Sequence, residues 1–187
     1  MKFQVHTKET APEASRETLE ITAKKYSFLP NLYGVLAESP TAVQAYAAIN
    51  KALEQSALSP VEQQVVTLVV SAANDCTYCV GAHSTVAQMV RMPEDVLDAL
   101  RAQRPLSDRK LNALRTLVLS ILHHRGWVPK DDLALFVEAG YGQRHLLDVL
   151  TIVALKTLSN YTNHIAHTPL DPQFAAHAWK AQKKTVA

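Results

Sequence analysis

Apolar side chains recur at intervals of three and four residues along most of the chain, and this period predicts α-helices. Ser59, Pro60 and Glu62 form a typical helix start, with a serine cap, a proline at the first helical position and an acid in the first turn. One broad arc of the helix that follows collects the apolar residues Val61, Val65, Val66, Leu68, Val69, Ala72 and Ala73. The β-branched residues here would also suit a strand, but the start signal, the length and the period favour a helix.

The same reasoning predicts helices over most of the remaining chain. They cover residues 12–25, 92–101 and 174–179 and segments that begin at Ser39-Pro40, Ser107-Asp108 and Pro129, with a short apolar segment at 32–37. Residues 143–161 are apolar on most faces, which predicts a buried central helix. We therefore predict an all-α, compact multi-helix fold. A single domain is expected over residues 1–187, with its core at about 12–179, an N-terminal arm and a polar C-terminal tail.

Composition excludes several classes of protein. The 19 basic and 17 acidic residues nearly balance, which gives no electrostatic case for binding nucleic acid, although the tail at 180–184 is mildly basic. No apolar run approaches the roughly 20 residues that cross a bilayer, so no membrane association is expected. The N-terminal residues are too polar for a signal peptide, and we expect a cytoplasmic protein.

Both cysteines of the chain stand in one motif, Cys76-x-x-Cys79, with His83 four residues after the second. If a helix begins near Asp75, its free N–H groups and dipole favour a thiolate at one or both sulfurs. Cys79 and His83 are then neighbours on one helical face, which gives a thiol a proton partner. Two cysteines buried for packing alone are the simpler alternative. A metal site with Cys76, Cys79 and His83 would need a fourth ligand, for which His164 is the candidate, and we predict neither a metal nor another cofactor.

Three stretches carry a resemblance to a known family: residues 58–64 (LSPVEQQ), residues 74–79 (NDCTYC) and His83. Together they resemble the alkylhydroperoxidase D-like, or carboxymuconolactone decarboxylase, superfamily and its peroxidase-related branch, as does the segment 158–164 (LSNYTNH). The resemblance implies an all-helical fold with the Cys-x-x-Cys at a helix start. It also implies cysteine-based reduction of a hydroperoxide substrate in antioxidant defence, recycling by a dithiol reductant or redox partner protein, and a homo-oligomer, either a trimer or a hexamer.

The positions of the two cysteines predict their roles. Cys79 is assigned as the attacking sulfur because His83 lies one turn beyond it, and Cys76 as the more accessible resolving thiol. The resemblance divides the roles in the same way. His83 would promote thiolate formation and carry the proton to the leaving alcohol. A disulfide reductase, a carboxymuconolactone decarboxylase-like enzyme and a non-catalytic redox-sensing or metal-binding module remain as alternatives.

The chain departs from the family pattern twelve positions before the first cysteine. A glutamate usually stands there as a base, whereas this chain has Gln64, and Tyr78 replaces a histidine that some members carry between the cysteines. Glu62 is the nearest acidic substitute. Its place on the apolar arc predicts partial burial, a raised pKa and contact with the cysteine site, against the plainer interpretation of a first-turn acid. Gln64, Tyr78 and His164 are expected to line the site.

Overall fold

Nine α-helices make up most of residues 1–181, the part of the chain that the computed structural model describes. They are α1 (Glu13–Tyr26), α2 (Asn31–Leu36), α3 (Pro40–Ala52), α4 (Pro60–Ala73), α5 (Thr77–Met89), α6 (Glu94–Arg101), α7 (Arg109–His124), α8 (Lys130–Glu138) and α9 (Gln143–Ala166). Two 3₁₀ turns, Leu53–Gln55 and Pro172–His177, complete them, and no strand occurs in these residues. The prediction of an all-α fold is confirmed. Residues 182–187, with most of the basic tail, lie outside the described residues.

Side-chain caps explain why several helices begin where the sequence predicts. Ser39 and Asp108 accept hydrogen bonds from the backbone N–H groups three residues later, at 3.3 Å and 2.8 Å. Ser59 does the same for Glu62 at 3.2 Å, and the Glu62 carboxylate accepts the Ser59 N–H at 2.8 Å. This reciprocal pair is a capping box, which satisfies backbone donors that have no partner within the helix.

Helix α4 is the centre of the fold and packs against α5, α7 and α9. Val65, Val66 and Val70 on it are completely buried. Each such side chain contributes about 1.5–3 kcal/mol through removal from water. Because α5 follows α4 directly and α9 lies against both, the three helices enclose the cysteines between them.

Helix α9 is longer than predicted and has two unlike faces. It runs for 24 residues, to Ala166 rather than residue 161. Its inner face is buried, but Leu147, Tyr161 and Ile165 on its outer face are 63 %, 54 % and 67 % exposed. The prediction of a buried central helix is therefore correct for the inner face and wrong for the outer face.

The end of the described chain crosses α5. Gly81 lies at this crossing, where a Cβ would be 3.2 Å from a methyl group of Leu170, and a larger residue would require that side chain to shift. Arg101 donates to the carbonyl groups of His177 and Ala178, both at 3.1 Å, and Trp179 donates to the carbonyl of Arg101 at 2.9 Å. The helix predicted at 174–179 is instead the 3₁₀ turn Pro172–His177.

No helix within residues 1–181 combines the length and the apolar character that crossing a membrane requires.

Candidate active site

The turn between α4 and α5 places the first cysteine at the very start of α5. Asp75 adopts a left-handed conformation with φ of 55°, which aspartate tolerates better than most residues. The Cys76 N–H then donates to the Ser71 carbonyl at 2.9 Å, and Asn74 donates to Asn160 of α9 at 3.0 Å. Cys76 is the N-cap residue and Cys79 lies in the first turn, so the expected place of the motif at a helix start is correct.

A stripe of polar residues on α9 faces the two sulfurs. The Asn163 amide Nδ2 lies 3.2 Å from Cys79 Sγ and 3.9 Å from Cys76 Sγ, and Ser159 Oγ lies 4.0 Å from Cys79 Sγ. The members of the stripe occupy positions i, i+3, i+4 and i+7, and none is more than 5 % exposed: Lys156, Ser159, Asn160 and Asn163. Such spacing puts them on one side of the helix.

The environment shifts the pKa values of the two thiols in opposite directions. Burial alone would raise the pKa of Cys79, but the hydrogen bond from Cys76, the ammonium of Lys156 and amide donors of α9 outweigh it and lower the pKa to about 5. The pKa of Cys76 is raised, first by its hydrogen bond to Cys79 and then by burial. At neutral pH Cys79 is therefore a thiolate and Cys76 a thiol that donates to it.

Both sulfurs are enclosed. Cys76 is completely buried and Cys79 is 1 % exposed, and both are free thiols. The expectation that Cys76 is the more accessible of the two is wrong, because the α4–α5 turn places its side chain against Asn163 of α9.

His83 is engaged on both ring nitrogens. Its Nδ1 lies 3.0 Å from Gln64 Oε1, and its Nε2 lies 2.9 Å from the Nζ of Lys156. Burial and the neighbouring ammonium hold the pKa of His83 well below its usual range. No hydrogen bond joins the His83 ring to Cys79 within residues 1–181, and the role predicted for His83 stays a prediction.

A surface cleft of about 470 Å³ borders His83 and Gln64. The residues that line the cleft include His83, Gln64, Asn50, Glu54 and Ile152. The size lies within the range of small-molecule sites. His83 and Gln64 therefore stand between the cleft and Lys156, and Lys156 in turn adjoins Cys79.

Comparisons with known proteins agree with this arrangement. The carboxymuconolactone decarboxylase family matches residues 40–118, which include both cysteines and His83. A peroxidase-related protein with an alkylhydroperoxidase AhpD core from Ralstonia eutropha has the same fold, with a TM-score of 0.81 at 23 % identity over 92 % of this chain and 93 % of that one. The family match covers residues 40–118, and the likeness to the solved structure is one of fold.

Two other solved structures are also similar in fold. A peroxidase-related protein from Silicibacter sp. gives a TM-score of 0.78 at 18 % identity over 93 % of this chain and 92 % of that one. The debrominase Bmp8, in complex with 2,3,4-tribromopyrrole, gives 0.73 at 14 % identity over 95 % and 96 % of the two chains. Comparison with curated proteins gives no significant match.

Glu62 does not contact the cysteine site, contrary to the prediction. Besides the Ser59 N–H, its carboxylate accepts the Tyr141 hydroxyl at 2.9 Å and pairs with the Lys110 ammonium at 3.0 Å. Glu62 is buried, as expected, but its pKa is lowered to about 2 rather than raised, because hydrogen bonds from Ser59 and Lys110 outweigh the effect of burial. It is a first-turn acid that stabilises the start of α4.

Tyr78 and His164, expected to line the site, have other surroundings. The Tyr78 hydroxyl donates to Asp171 at 2.5 Å and accepts the Leu32 N–H at 3.3 Å, which ties α5 to α2. His164 is exposed on the outer face of α9, where its ring stacks beside Tyr161. Gln64 alone of the three expected lining residues adjoins the site, through His83. The metal alternative loses support, since no group of three potential ligands occurs in residues 1–181.

The sequence interpretation missed the α9 residues that surround the sulfurs. Lys156, Ser159, Asn160 and Asn163 occupy positions i, i+3, i+4 and i+7 of a helix that is otherwise largely apolar. A polar stripe with helical spacing inside an apolar helix is the signal that could have revealed them.

Proposed function

We propose that this chain is a thiol-dependent hydroperoxide reductase in which Cys79 attacks the peroxide and Cys76 resolves the product. The observation that carries the proposal is the environment of Cys79, a buried sulfur with an amide donor at 3.2 Å, an adjacent ammonium and a pKa of about 5. Peroxides react with thiolates rather than with thiols. The raised pKa of Cys76 supports its role as the second, protonated thiol.

The reaction balances with the groups at hand. The thiolate of Cys79 attacks the terminal oxygen of ROOH, the O–O bond breaks, and the alkoxide leaves and takes a proton to become an alcohol. The Cys76 thiol then condenses with the Cys79 sulfenic acid, which releases water and forms a disulfide. An external dithiol reduces the disulfide by exchange and becomes oxidised itself. No metal or other cofactor takes part.

The outer face of α9 supports assembly with further copies of the chain. Its apolar residues repeat at intervals of three and four residues, a pattern that suits packing of two helices: Leu147, Leu150, Ala154, Leu158, Tyr161 and Ile165. This outer stripe extends for about 27 Å along the helix. Because the same helix carries the active-site amides on its inner face, assembly would also hold those amides in place. We propose a homo-oligomer, either a trimer or a hexamer.

The direct experiment is peroxide consumption by the reduced protein with a panel of small dithiol donors. We expect turnover with hydrogen peroxide or an alkyl hydroperoxide, none for Cys79→Ser, and oxidation that stops after one event for Cys76→Ser. A wild-type rate in Cys79→Ser would refute the proposal. Disulfide reduction without peroxide consumption would favour the disulfide reductase alternative.

Bromide release is the second activity to assay, because the fold of this chain matches that of a debrominase over nearly the whole of both chains. A buried thiolate can take up the bromine of a bromopyrrole while a proton replaces it on the ring, and Cys76 would then displace bromide to form the same disulfide. Bromide production from 2,3,4-tribromopyrrole, without peroxide turnover, would favour this function over the first.

A further inference from the structure

One buried ammonium, that of Lys156, lies on α9 one turn before Ser159, whose hydroxyl is 4.0 Å from the Cys79 sulfur. The side chain is completely buried in the middle of α9. Isolation of an ammonium from water is costly unless a negative charge lies beside it. Among residues 1–181, no carboxylate lies within ion-pair distance of this ammonium. Its counter-ion must therefore be another kind of group.

Among the titratable groups that face Lys156, one can serve as its counter-ion. From α3 comes Tyr46 and from α5 come Cys76, Cys79 and His83. Burial raises the pKa of Tyr46, Cys76 is a thiol, and the pKa of His83 is lowered, so these three are neutral. Cys79 remains as the anion. Burial works against the charged form of Lys156, but the thiolate of Cys79 outweighs it and raises the pKa of Lys156.

Gln64 determines how His83 meets this ammonium. The amide oxygen of Gln64 accepts from Nδ1, which fixes the hydrogen on that nitrogen and leaves Nε2 with a lone pair. Nε2 then accepts a hydrogen bond from Lys156 at 2.9 Å. Because an amide cannot take up a proton, His83 in this arrangement holds Lys156 in position and does not pass protons to the cleft.

We propose that Lys156 is the acid of the peroxide reaction, and that it receives its proton from Cys79 and gives it to the departing alkoxide. This inference rests on the proposed function. In balanced form, Cys79–S⁻, Cys76–SH, Lys156–NH₃⁺ and ROOH give the Cys76–Cys79 disulfide, Lys156–NH₂, ROH and H₂O. When a dithiol restores both thiols, Cys79 transfers its proton back to Lys156. The buried pair thus completes the cycle without a relay to solvent, which explains why Gln64 can stand where a base is expected.

Thiolate absorbance at 240 nm tests the ion pair without any peroxide. In the reduced protein we expect one group to titrate below neutral pH, and Lys156→Met to shift its midpoint upward by about 1–3 pH units. Lys110→Met is the matched control, because Lys110 pairs with Glu62 and lies outside the site. An unshifted midpoint in Lys156→Met would overturn the assignment, whether or not the protein reduces peroxides.

Lys156→Arg distinguishes the effect of the positive charge at this position from the supply of a proton by Lys156. A guanidinium keeps its proton at all accessible pH values, so it can stabilise the thiolate but cannot protonate the alkoxide. We expect a midpoint near that of the wild type and single-turnover oxidation slower by about 10²–10⁴-fold. The loss should be greater for alkyl hydroperoxides than for peracids, whose leaving groups need no proton. An equal loss for both would contradict a role as acid. Circular dichroism establishes that each variant is folded.

A proton count in the wild type keeps the test valid even if neither variant folds. In weakly buffered solution with an indicator dye, the first oxidation by peroxide should take up no proton from solvent, because Lys156 supplies it. Uptake of one proton per disulfide in that phase would show that solvent is the acid and would overturn the inference. If peroxide does not oxidise the protein at all, the proposed function fails, and the thiolate titration still decides the ion pair.

Discussion

Asn163 makes a close side-chain contact to the reacting sulfur, and its replacement by leucine tests how much that amide contributes. Leucine has nearly the same size and shape but no donor to replace the Nδ2 group 3.2 Å from Cys79 Sγ. A hydrogen bond to a charged group is typically worth about 1.5–3 kcal/mol, which corresponds to about 1–2 pKa units. From about 5 in the wild type, the pKa of Cys79 should therefore rise to about 6–7 in Asn163→Leu.

The assay is the pH titration of thiolate absorbance in the reduced protein. At pH 7 about 99 % of Cys79 should be ionised in the wild type and about 50–90 % in the variant. Ser159→Ala is the control, because the Ser159 hydroxyl is farther from the sulfur, at 4.0 Å, and donates to the Lys156 carbonyl at 3.3 Å. Its midpoint should not rise. A variant of Asn163 that titrates like the wild type would refute the argument that this amide stabilises the thiolate.

The same substitution changes how stability depends on pH. The pKa of Cys79 in the folded chain lies below that of an unfolded cysteine, about 8.5. The thiolate therefore stabilises the reduced protein fully above that value, and this contribution is lost as the pH falls towards about 5. Urea unfolding should show this decline in the wild type and a smaller one in Asn163→Leu. Loss of the fold itself is not expected, because the side-chain amide oxygen of Asn163 has no hydrogen-bond partner within residues 1–181.

Three further predictions concern residues away from the sulfurs. Glu62→Gln should lower the free energy of unfolding by about 0.5–1 kcal/mol at pH 7. The loss should be smaller near pH 2, where about half of the carboxylate is protonated, and the thiolate midpoint should stay unchanged; a shifted midpoint would indicate that Glu62 contacts the site. Tyr78→Phe should cost about 1–3 kcal/mol in urea unfolding, because buried Asp171 loses its hydroxyl donor; unchanged stability would contradict the tie between α5 and α2. Leu147→Glu should reduce the mass measured by light scattering, whereas Arg109→Glu, exposed on α7, should not. If Leu147→Glu has the same mass as the wild type, the outer stripe is not the interface.

Local signals in the sequence predict much of the fold. Helix starts depend on a few adjacent residues, so Ser39-Pro40, Ser59-Pro60 and Asp108 mark the starts of α3, α4 and α7 correctly. The same rule explains the error at Glu62. Serine followed three residues later by glutamate is the capping-box pattern, and it outweighs the position of Glu62 on an apolar arc as a guide to its partners.

The cysteine motif was predictable, but its surroundings depend on contacts between distant parts of the chain. Asn163 and Lys156 meet Cys79 across about 80 residues of sequence, and a helical wheel of α9 does not say which helix its polar stripe faces. Gln64 was expected to line the site from the family pattern, yet its effect on the His83 ring follows from the packing of α4 against α5. The accessibility of Cys76 likewise depends on that packing.

The central claim is that Cys79 attacks and Cys76 resolves, and mass spectrometry after a single turnover tests it most directly. One equivalent of hydroperoxide added to the reduced wild type should produce an intramolecular Cys76–Cys79 disulfide, with a loss of two hydrogens and no adduct between chains. In Cys76→Ser, a sulfenic acid should be trapped on Cys79. A sulfenic or sulfonic acid on Cys76 with Cys79 unmodified, or no oxidation of either sulfur, would contradict the account.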